Sequence, residues 1–336
     1  MTVSTSNKHT RRHVLALLSA IAAGAFATGL PQLAQAQDKQ VLRIGYQKAA
    51  STLVLLKAHG TLEKRLAAQG IEVKWAEFAA GPQLLEALNV GSVDFGYVGE
   101  APPIVAQAAG ADFVYSAYEI PTPEAESILV PKNSPITSLA QLKGKKIAFN
   151  KGSDVHWLVI SLLKKGGVAY SEFQPIYLAP ADARAAFERG AVDGWAIWDP
   201  FQTAAIKQID ARVLASGSGV VSHHQFFLSA RKYAEKNQAI VNAILEEAGK
   251  EGQWIRTNYK EAAAQLAPIQ GLEPDVIETG LKHYAHIYKP VDSKVLDEQQ
   301  RIADTFYALK LIPKKISTHD AVLPATISPA KLADKS

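Results

Sequence analysis

Glu86-Ala-Leu-Asn-Val-Gly-Ser-Val-Asp-Phe-Gly96 and Ala185-Ala-Phe-Glu-Arg-Gly-Ala-Val-Asp-Gly-Trp195 follow one plan. Each reads as the end of a helix, then Gly-[Ser/Ala]-Val-Asp, then a strand. A glycine after the last periodic residue ends a helix, because it alone turns left-handed without a Cβ penalty. Outward from these stretches, short apolar runs alternate with helical patterns, which predicts βαβ units in mostly parallel sheets. Before the first stretch, strands are expected at Val41–Gly45 and Glu72–Phe78. Helices are expected at Leu53–Gln69 and Gln83–Val90. After it come a strand at Asp94–Val98, a helix at Pro102–Ala109 and a strand at Phe113–Ile120. Around the second stretch, strands are expected at Lys146–Phe149, Phe173–Leu178, Gly194–Trp198 and Arg212–Ala215. Helices are expected at Val155–Lys165 and across Pro180–Gly190, with a short one at Leu139–Gly144.

Two matching halves imply two lobes. Pro121-Thr-Pro-Glu-Ala-Glu126 is rigid and polar, and reads as the first crossing. His223–Leu228 carries the chain back, and four helical patterns follow between residues 239 and 309. The expected division is residues 1–36 as a leader, 37–122 with 224–320 as lobe one, 123–223 as lobe two, and 321–336 as a flexible tail. Two lobes joined by two crossings make a hinged clamshell.

The leader reading rests on Lys8, Arg11 and Arg12, an apolar Val14–Leu30 run, and Ala34-Gln35-Ala36. That is the order of a secretory signal peptide, with cleavage after Ala36. Thr10-Arg-Arg-His-Val-Leu15 also resembles a twin-arginine export motif. Export by either route predicts a periplasmic protein. The chain has no cysteine, which excludes disulfides, thiolate metal sites, a catalytic thiol and a lipid-anchoring cysteine. The formal charge is +4, of which the leader supplies +3. Basic residues are scattered, so nucleic acid is not an expected partner. There is no phosphate loop, no G-x-S-x-G elbow and no H-E-x-x-H. No catalytic residue, cofactor or metal is therefore assigned.

In a clamshell of this class a ligand sits beyond the carboxyl ends of the strands, where helices start. Helix N-termini bind anions with unpaired N–H groups and a positive dipole end. The junctions offer Gln47 with Ser51 and Thr52, then Gly81, then Gly99-Glu100-Ala101. In the second half they offer Gly152-Ser153-Asp154 and Trp198-Asp199. Each has a second role open to it. Ser51, Thr52, Ser153 and Asp154 suit helix capping; Glu100 suits a helix dipole; Asp199 suits the turn before Pro200. Trp198 suits core packing, and His156 a structural hydrogen bond.

The runs Ile44-Gly-Tyr-Gln-Lys48, Gly81-Pro-Gln-Leu-Leu-Glu86, Gly99-Glu-Ala-Pro-Pro103, Asn150-Lys-Gly-Ser-Asp-Val-His156 and Trp198-Asp-Pro-Phe201 resemble the aliphatic-sulfonate-binding proteins of ABC importers. The resemblance spans roughly residues 41–320 and keeps motif order. It implies a periplasmic-binding-protein-like type II fold, α/β in both lobes. It also implies a small organosulfonate as ligand, an inner-membrane ABC permease as partner, and a monomer. The implied contacts are Gln47, Ser51, Thr52, Gly81, Gly99, Glu100, Ala101, Gly152, Ser153, Asp154, Trp198 and Asp199. Where the family often has Gly-Thr, this chain has Ser51-Thr52, which bears on pocket size. Binding of taurine, nitrate or a thiamine-precursor pyrimidine, and an enzyme of pyrimidine synthesis on the same fold, are the alternatives.

Overall fold

The computed structural model describes residues 40–323. The expected leader, its cleavage site and the chain beyond residue 323 lie outside the described residues. The first half runs β1 (Gln40–Gln47), α1 (Ser51–His59), α2 (Thr61–Ala67), β2 (Ile71–Phe78), α3 (Gly81–Asn89), β3 (Phe95–Gly99), α4 (Ala101–Ala108) and β4 (Phe113–Glu119). The second half holds β5 (Glu126–Val130), β6 (Lys146–Phe149), α5 (Asp154–Lys165), β7 (Gln174–Tyr177), α6 (Pro180–Glu188), β8 (Gly194–Trp198), α7 (Phe201–Ile209) and β9 (Arg212–Ser216). The chain then returns through β10 (Gln225–Ala230). It ends in α8 (Arg231–Lys236), α9 (Gln238–Thr257), α10 (Tyr259–Gln270), α11 (Pro274–Leu281), β11 (Tyr288–Lys289) and α12 (Ser293–Ala308).

The two Gly-[Ser/Ala]-Val-Asp stretches do the same structural work. Gly91 and Gly190 are left-handed, at φ 74° and 68°. The next N–H groups, of Ser92 and Ala191, donate back to Ala87 and Ala186 and close the helix ends. Val93 and Val192 are buried. Asp94 and Asp193 then lock the strand register. The Asp94 carboxylate accepts the Arg43 N–H at 2.8 Å, and the Asp193 carboxylate accepts the Lys146 N–H at 2.8 Å. The Asp94 and Asp193 N–H groups donate back to the carbonyls of Arg43 and Lys146. Each half thus pins a later strand parallel to an earlier one, β3 to β1 and β8 to β6.

Two sheets result, in the orders β11-β4-β10-β3-β1-β2 and β7-β6-β8-β5-β9. They are mixed rather than mostly parallel. The parallel pairs are β1 with β2 and β3, and β6 with β7 and β8. The strands that follow the crossings, β5 and β10, enter antiparallel to both neighbours. A strand arriving from the other half needs no crossover helix, so nothing forces it parallel. The two crossings run side by side: the Thr122 N–H donates to the Ser222 carbonyl, and the Thr122 hydroxyl to the His223 carbonyl.

Three expectations are corrected. The helix expected at Leu53–Gln69 is two helices, broken at Gly60 with φ 62°. Glu126, read as part of the crossing, already begins β5. The chain at residues 321–323 is not loose at its start, because Ala321 is buried and its carbonyl accepts the Tyr115 N–H. One apolar cluster joins the halves: Ala101 and Ile104 of α4, Ile160 of α5, and Ile302 and Phe306 of α12.

Candidate functional site

A partly open cavity lies at the carboxyl ends of β1, β4 and β8 and at the starts of α1 and α5. Its free volume of about 30 Å³ is room for roughly two waters. The first sheet and its helices bring Gln47, Ser51, Thr52, Tyr97, Glu119 and Gln225. The second brings Asp154 and Trp198. Tyr284 and His286 come from the segment after α11. Five expected contacts therefore meet there: Gln47, Ser51, Thr52, Asp154 and Trp198. The other seven do not line it.

At α1, the residue before the first turn is Ala50, and no side chain caps the helix. Capping is thus not the role of Ser51 or Thr52. The early N–H groups of a helix lack intrahelical acceptors; here the Ser51 N–H is taken up by the Ala49 carbonyl at 2.8 Å. Ser51 is 8 % exposed and accepts from the Gln270 amide at 3.4 Å. Thr52 sits in a buried chain: the Tyr288 hydroxyl donates to Thr52 Oγ1 at 2.6 Å. His286 Nε2 lies 3.0 Å from the Leu281 carbonyl, so that nitrogen carries the proton. His286 Nδ1 then accepts from Thr52 at 3.3 Å.

The seven residues outside the lining make contacts of their own, and Gly99, Ala101 and Asp199 touch residues that line it. A Cβ on Gly99 would stand 1.7 Å from Asp154 Oδ2. Glycine there lets the carboxylate of α5 seat against the start of α4, where the Ala101 N–H donates to Asp154 Oδ1 at 3.3 Å. A Cβ on Gly81 would stand 2.7 Å from Pro102 Cγ, so Gly81 lets the starts of α3 and α4 approach. Gly152 is left-handed, at φ 76°, and its N–H donates to His156 Nδ1 at 3.1 Å. Ser153 turns its hydroxyl back to the Asn150 carbonyl at 2.7 Å. Glu100 is 2 % exposed, and one of its oxygens accepts the His224 N–H. Asp199 is fully buried and accepts from the Thr203 N–H, the Gln202 amide and His283 Nδ1. The Tyr284 hydroxyl donates to the Asp199 carbonyl, which fixes Tyr284 as a cavity wall.

The site holds neutral donors and acids, with no Lys or Arg in its lining. Burial pushes Glu119 and Asp154 up to about 7 and Glu100 up to about 8. Glu126, fully buried with no hydrogen-bond partner on either oxygen, is held well above the carboxylate range by burial and by Asp154 and Glu100. Burial also pushes His223 and His286 down to about 4, so both are neutral. A buried acid with a raised value carries a proton near neutrality and then does not repel an anion. Glu119 accepts from the Tyr97 hydroxyl and from the His286 N–H. Among the described residues no group of three or more His, Asp or Glu could hold a metal ion.

The reading of the helix starts missed Tyr97, Glu119, Gln225, Tyr284 and His286. Glu119 carried a signal: an acid closing the otherwise uncharged run Phe113-Val-Tyr-Ser-Ala-Tyr. Tyr284 and His286 carried none, since a distant tertiary contact brings them in.

A profile of the family described as NMT1/THI5 like matches residues 66–262. A putative aliphatic sulfonates-binding protein of Escherichia coli is 45 % identical over 313 residues, covering 93 % of this chain and 96 % of its own. The solved alkanesulfonate-binding protein of Xanthomonas axonopodis pv. citri, bound to MOPS, is 45 % identical with a TM-score of 0.80. That match covers 85 % of this chain and 98 % of the other. The periplasmic aliphatic sulphonate binding protein of Escherichia coli gives 47 % identity and a TM-score of 0.77, over 84 % and 97 % of the two chains.

Proposed function

Because this chain belongs to the aliphatic-sulfonate-binding proteins and carries the NMT1/THI5-like domain, we propose that it captures aliphatic sulfonates in the cavity between its two sheets. It then delivers them to an ABC permease of the inner membrane for sulfur acquisition. It works in the periplasm as a monomer, after export and cleavage behind Ala36, and performs no chemistry on its ligand.

The observation that carries this reading is a cavity built from both sheets that offers neutral donors and no cationic side chain. A sulfonate is singly charged and weakly basic, so amide and hydroxyl donors with a helix start suffice to hold it. A dianion such as sulfate would meet Glu119 and Asp154 with no cation to offset its charge. Gln47, Ser51, Thr52, Asp154 and Trp198 are the proposed contacts. Gly81, Gly99, Glu100, Ala101, Gly152, Ser153 and Asp199 shape and position them. The present cavity is smaller than any organosulfonate, so entry requires the sheets to part. We take residues 37–122 with 224–320, and 123–223, as the lobes that part, hinged at the paired crossings. A ligand that touches both lobes selects the closed state.

Glu119 and Asp154 allow one second reading, in which the tail carries an ammonium group, as taurine does, and that cation draws one of the two acids into its ionised form. Calorimetric titration of the mature protein with alkanesulfonates, taurine, sulfate and nitrate tests both. Alkanesulfonates are expected to bind more tightly than sulfate and nitrate. Tighter taurine binding would favour the second reading. No heat with any sulfonate, alongside strong nitrate binding, would overturn the assignment.

A further inference from the structure

The turn that carries Asp154 to the cavity is held by a residue of α5 itself. Ser153 precedes that helix, yet its side chain makes no cap bond and folds back to the Asn150 carbonyl at 2.7 Å. The third residue of a helix often reaches back to a backbone N–H before it, a place usually taken by Glu or Gln. Here that residue is His156, 1 % exposed, and its Nδ1 accepts the Gly152 N–H at 3.1 Å. An accepting nitrogen carries no proton, so in a neutral ring the proton sits on Nε2. Burial, with Lys151 nearby, pushes His156 down to about 3 and keeps the ring neutral. His156 Nε2 then donates to the Tyr170 hydroxyl at 2.7 Å. That hydroxyl lies 3.0 Å from the hydroxyl of Tyr177, an exposed residue at the end of β7. The His156 ring packs against Phe149 at the end of β6 and against Phe306 of α12, with centroids 5.0 and 5.3 Å away.

We propose that His156 is a positioning residue for ligand binding: it fixes the Gly152–Asp154 turn that brings the Asp154 carboxylate to the cavity, and Tyr170 makes that role possible. The inference rests on the sulfonate reading above, because affinity for that ligand is what it concerns. His156 does not line the cavity, so it acts through Asp154. The Gly152 N–H can only donate, and it therefore sets the tautomer of the ring. That tautomer leaves a proton on a buried Nε2, and a buried donor without a partner costs more than a hydrogen bond returns. Tyr170 takes up this proton. Without Tyr170, the ring meets its two demands only by leaving one of them unmet: either Nε2 keeps an unpaired proton, or Nδ1 carries it and faces the Gly152 N–H donor to donor. A glutamine in the same place escapes the conflict, because its amide carries an acceptor and a donor at once.

The test is calorimetric titration of butanesulfonate into the wild type, His156→Leu, His156→Gln, Tyr170→Phe and the His156→Leu/Tyr170→Phe pair, with NMR of the imidazole nitrogens in the wild type. His156→Leu is expected to weaken binding about fivefold, the net worth of roughly one hydrogen bond. His156→Gln keeps an acceptor for Gly152 and a donor for Tyr170, and should stay within about twofold of the wild type. Tyr170→Phe should weaken the wild type yet add nothing to His156→Leu, because the two residues act in one chain. The ring should show a protonated Nε2 and a bare Nδ1. A glutamine variant as weak as the leucine variant would overturn the inference alone. So would a Tyr170→Phe variant that matches the wild type, which decides the matter even where His156→Leu does not fold. A Tyr170→Phe loss that adds in full to that of His156→Leu, or a protonated Nδ1, would do the same. Failure of the wild type to bind butanesulfonate would overturn the sulfonate reading and the inference with it.

Discussion

Gly99 stands where the halves meet, because any Cβ there would collide with the Asp154 carboxylate. Its backbone is not left-handed, so the requirement is for space and not for a rare conformation. Gly99→Ala is therefore expected to leave the separate halves folded but to push Asp154 off the Ala101 N–H. We expect Tm to fall, because the displaced Asp154 leaves the buried Ala101 N–H without its partner, and sulfonate affinity, read by calorimetry, to fall about tenfold, the loss of roughly one hydrogen bond. Single residues were unevenly legible in the sequence. Ser51, Thr52 and Gln47 follow from the rule that ligands meet helix starts beyond strand ends. Gly81, Gly99 and Gly152 were legible as helix-start candidates, yet what Gly81 and Gly99 approach is tertiary, Pro102 and Asp154, while Gly152 is left-handed and its N–H donates to His156 four residues on. Asp199 looked like a turn residue or a site residue. It is an anchor, holding α7 through Thr203 and presenting Tyr284.

At the scale of elements, βαβ order was readable because glycine marks so many helix ends. Gly91 and Gly190 are the clearest, since each is followed by a valine for the core and an aspartate that pins a parallel pair. Gly60 was the exception. It lies inside a continuous apolar periodicity, and a pattern of side chains does not report a backbone turn of φ 62°. Gly60→Ala would place a Cβ in the left-handed region, at a cost of about 1 kcal/mol. A Cβ there meets no atom within 4 Å, so the cost is conformational alone. Chemical denaturation should show that loss with sulfonate affinity unchanged. β5 escaped because Glu126 looked like part of a polar crossing. Its carboxylate is buried with both oxygens unpartnered, which a sequence pattern of polar residues reads as solvent.

The whole molecule couples its fold to pH through the groups it buries between its halves. Glu119 rises to about 7 and Glu100 to about 8 from an ordinary 4.5, and Asp154 to about 7 from 3.8. Folded, they keep protons that the unfolded chain releases. Their stabilisation is complete below about pH 4 and is lost as pH rises through about 7 to 8. His223 and His286 fall to about 4 and His156 to about 3, from 6.5. The unfolded chain binds protons there that the folded chain refuses, so their effect erodes stability as pH drops from 6.5 toward 4. The two sets oppose each other between about pH 4.5 and 6.5. Calorimetric scans should therefore show a maximum Tm in that window and a decline from about pH 6.5 to 8.5. An anion beside Glu119 and Asp154 favours their protonated forms, so sulfonate affinity should also weaken above about pH 7. The central claim is that both halves grip one anion without a cationic side chain. A crystal structure of the mature protein with octanesulfonate tests it most directly. The sulfonate is expected at the start of α1 beside Ser51 and Thr52, within contact of Asp154 and Trp198. A sulfonate gripped by Lys or Arg, or touching only one sheet's residues, would contradict the account.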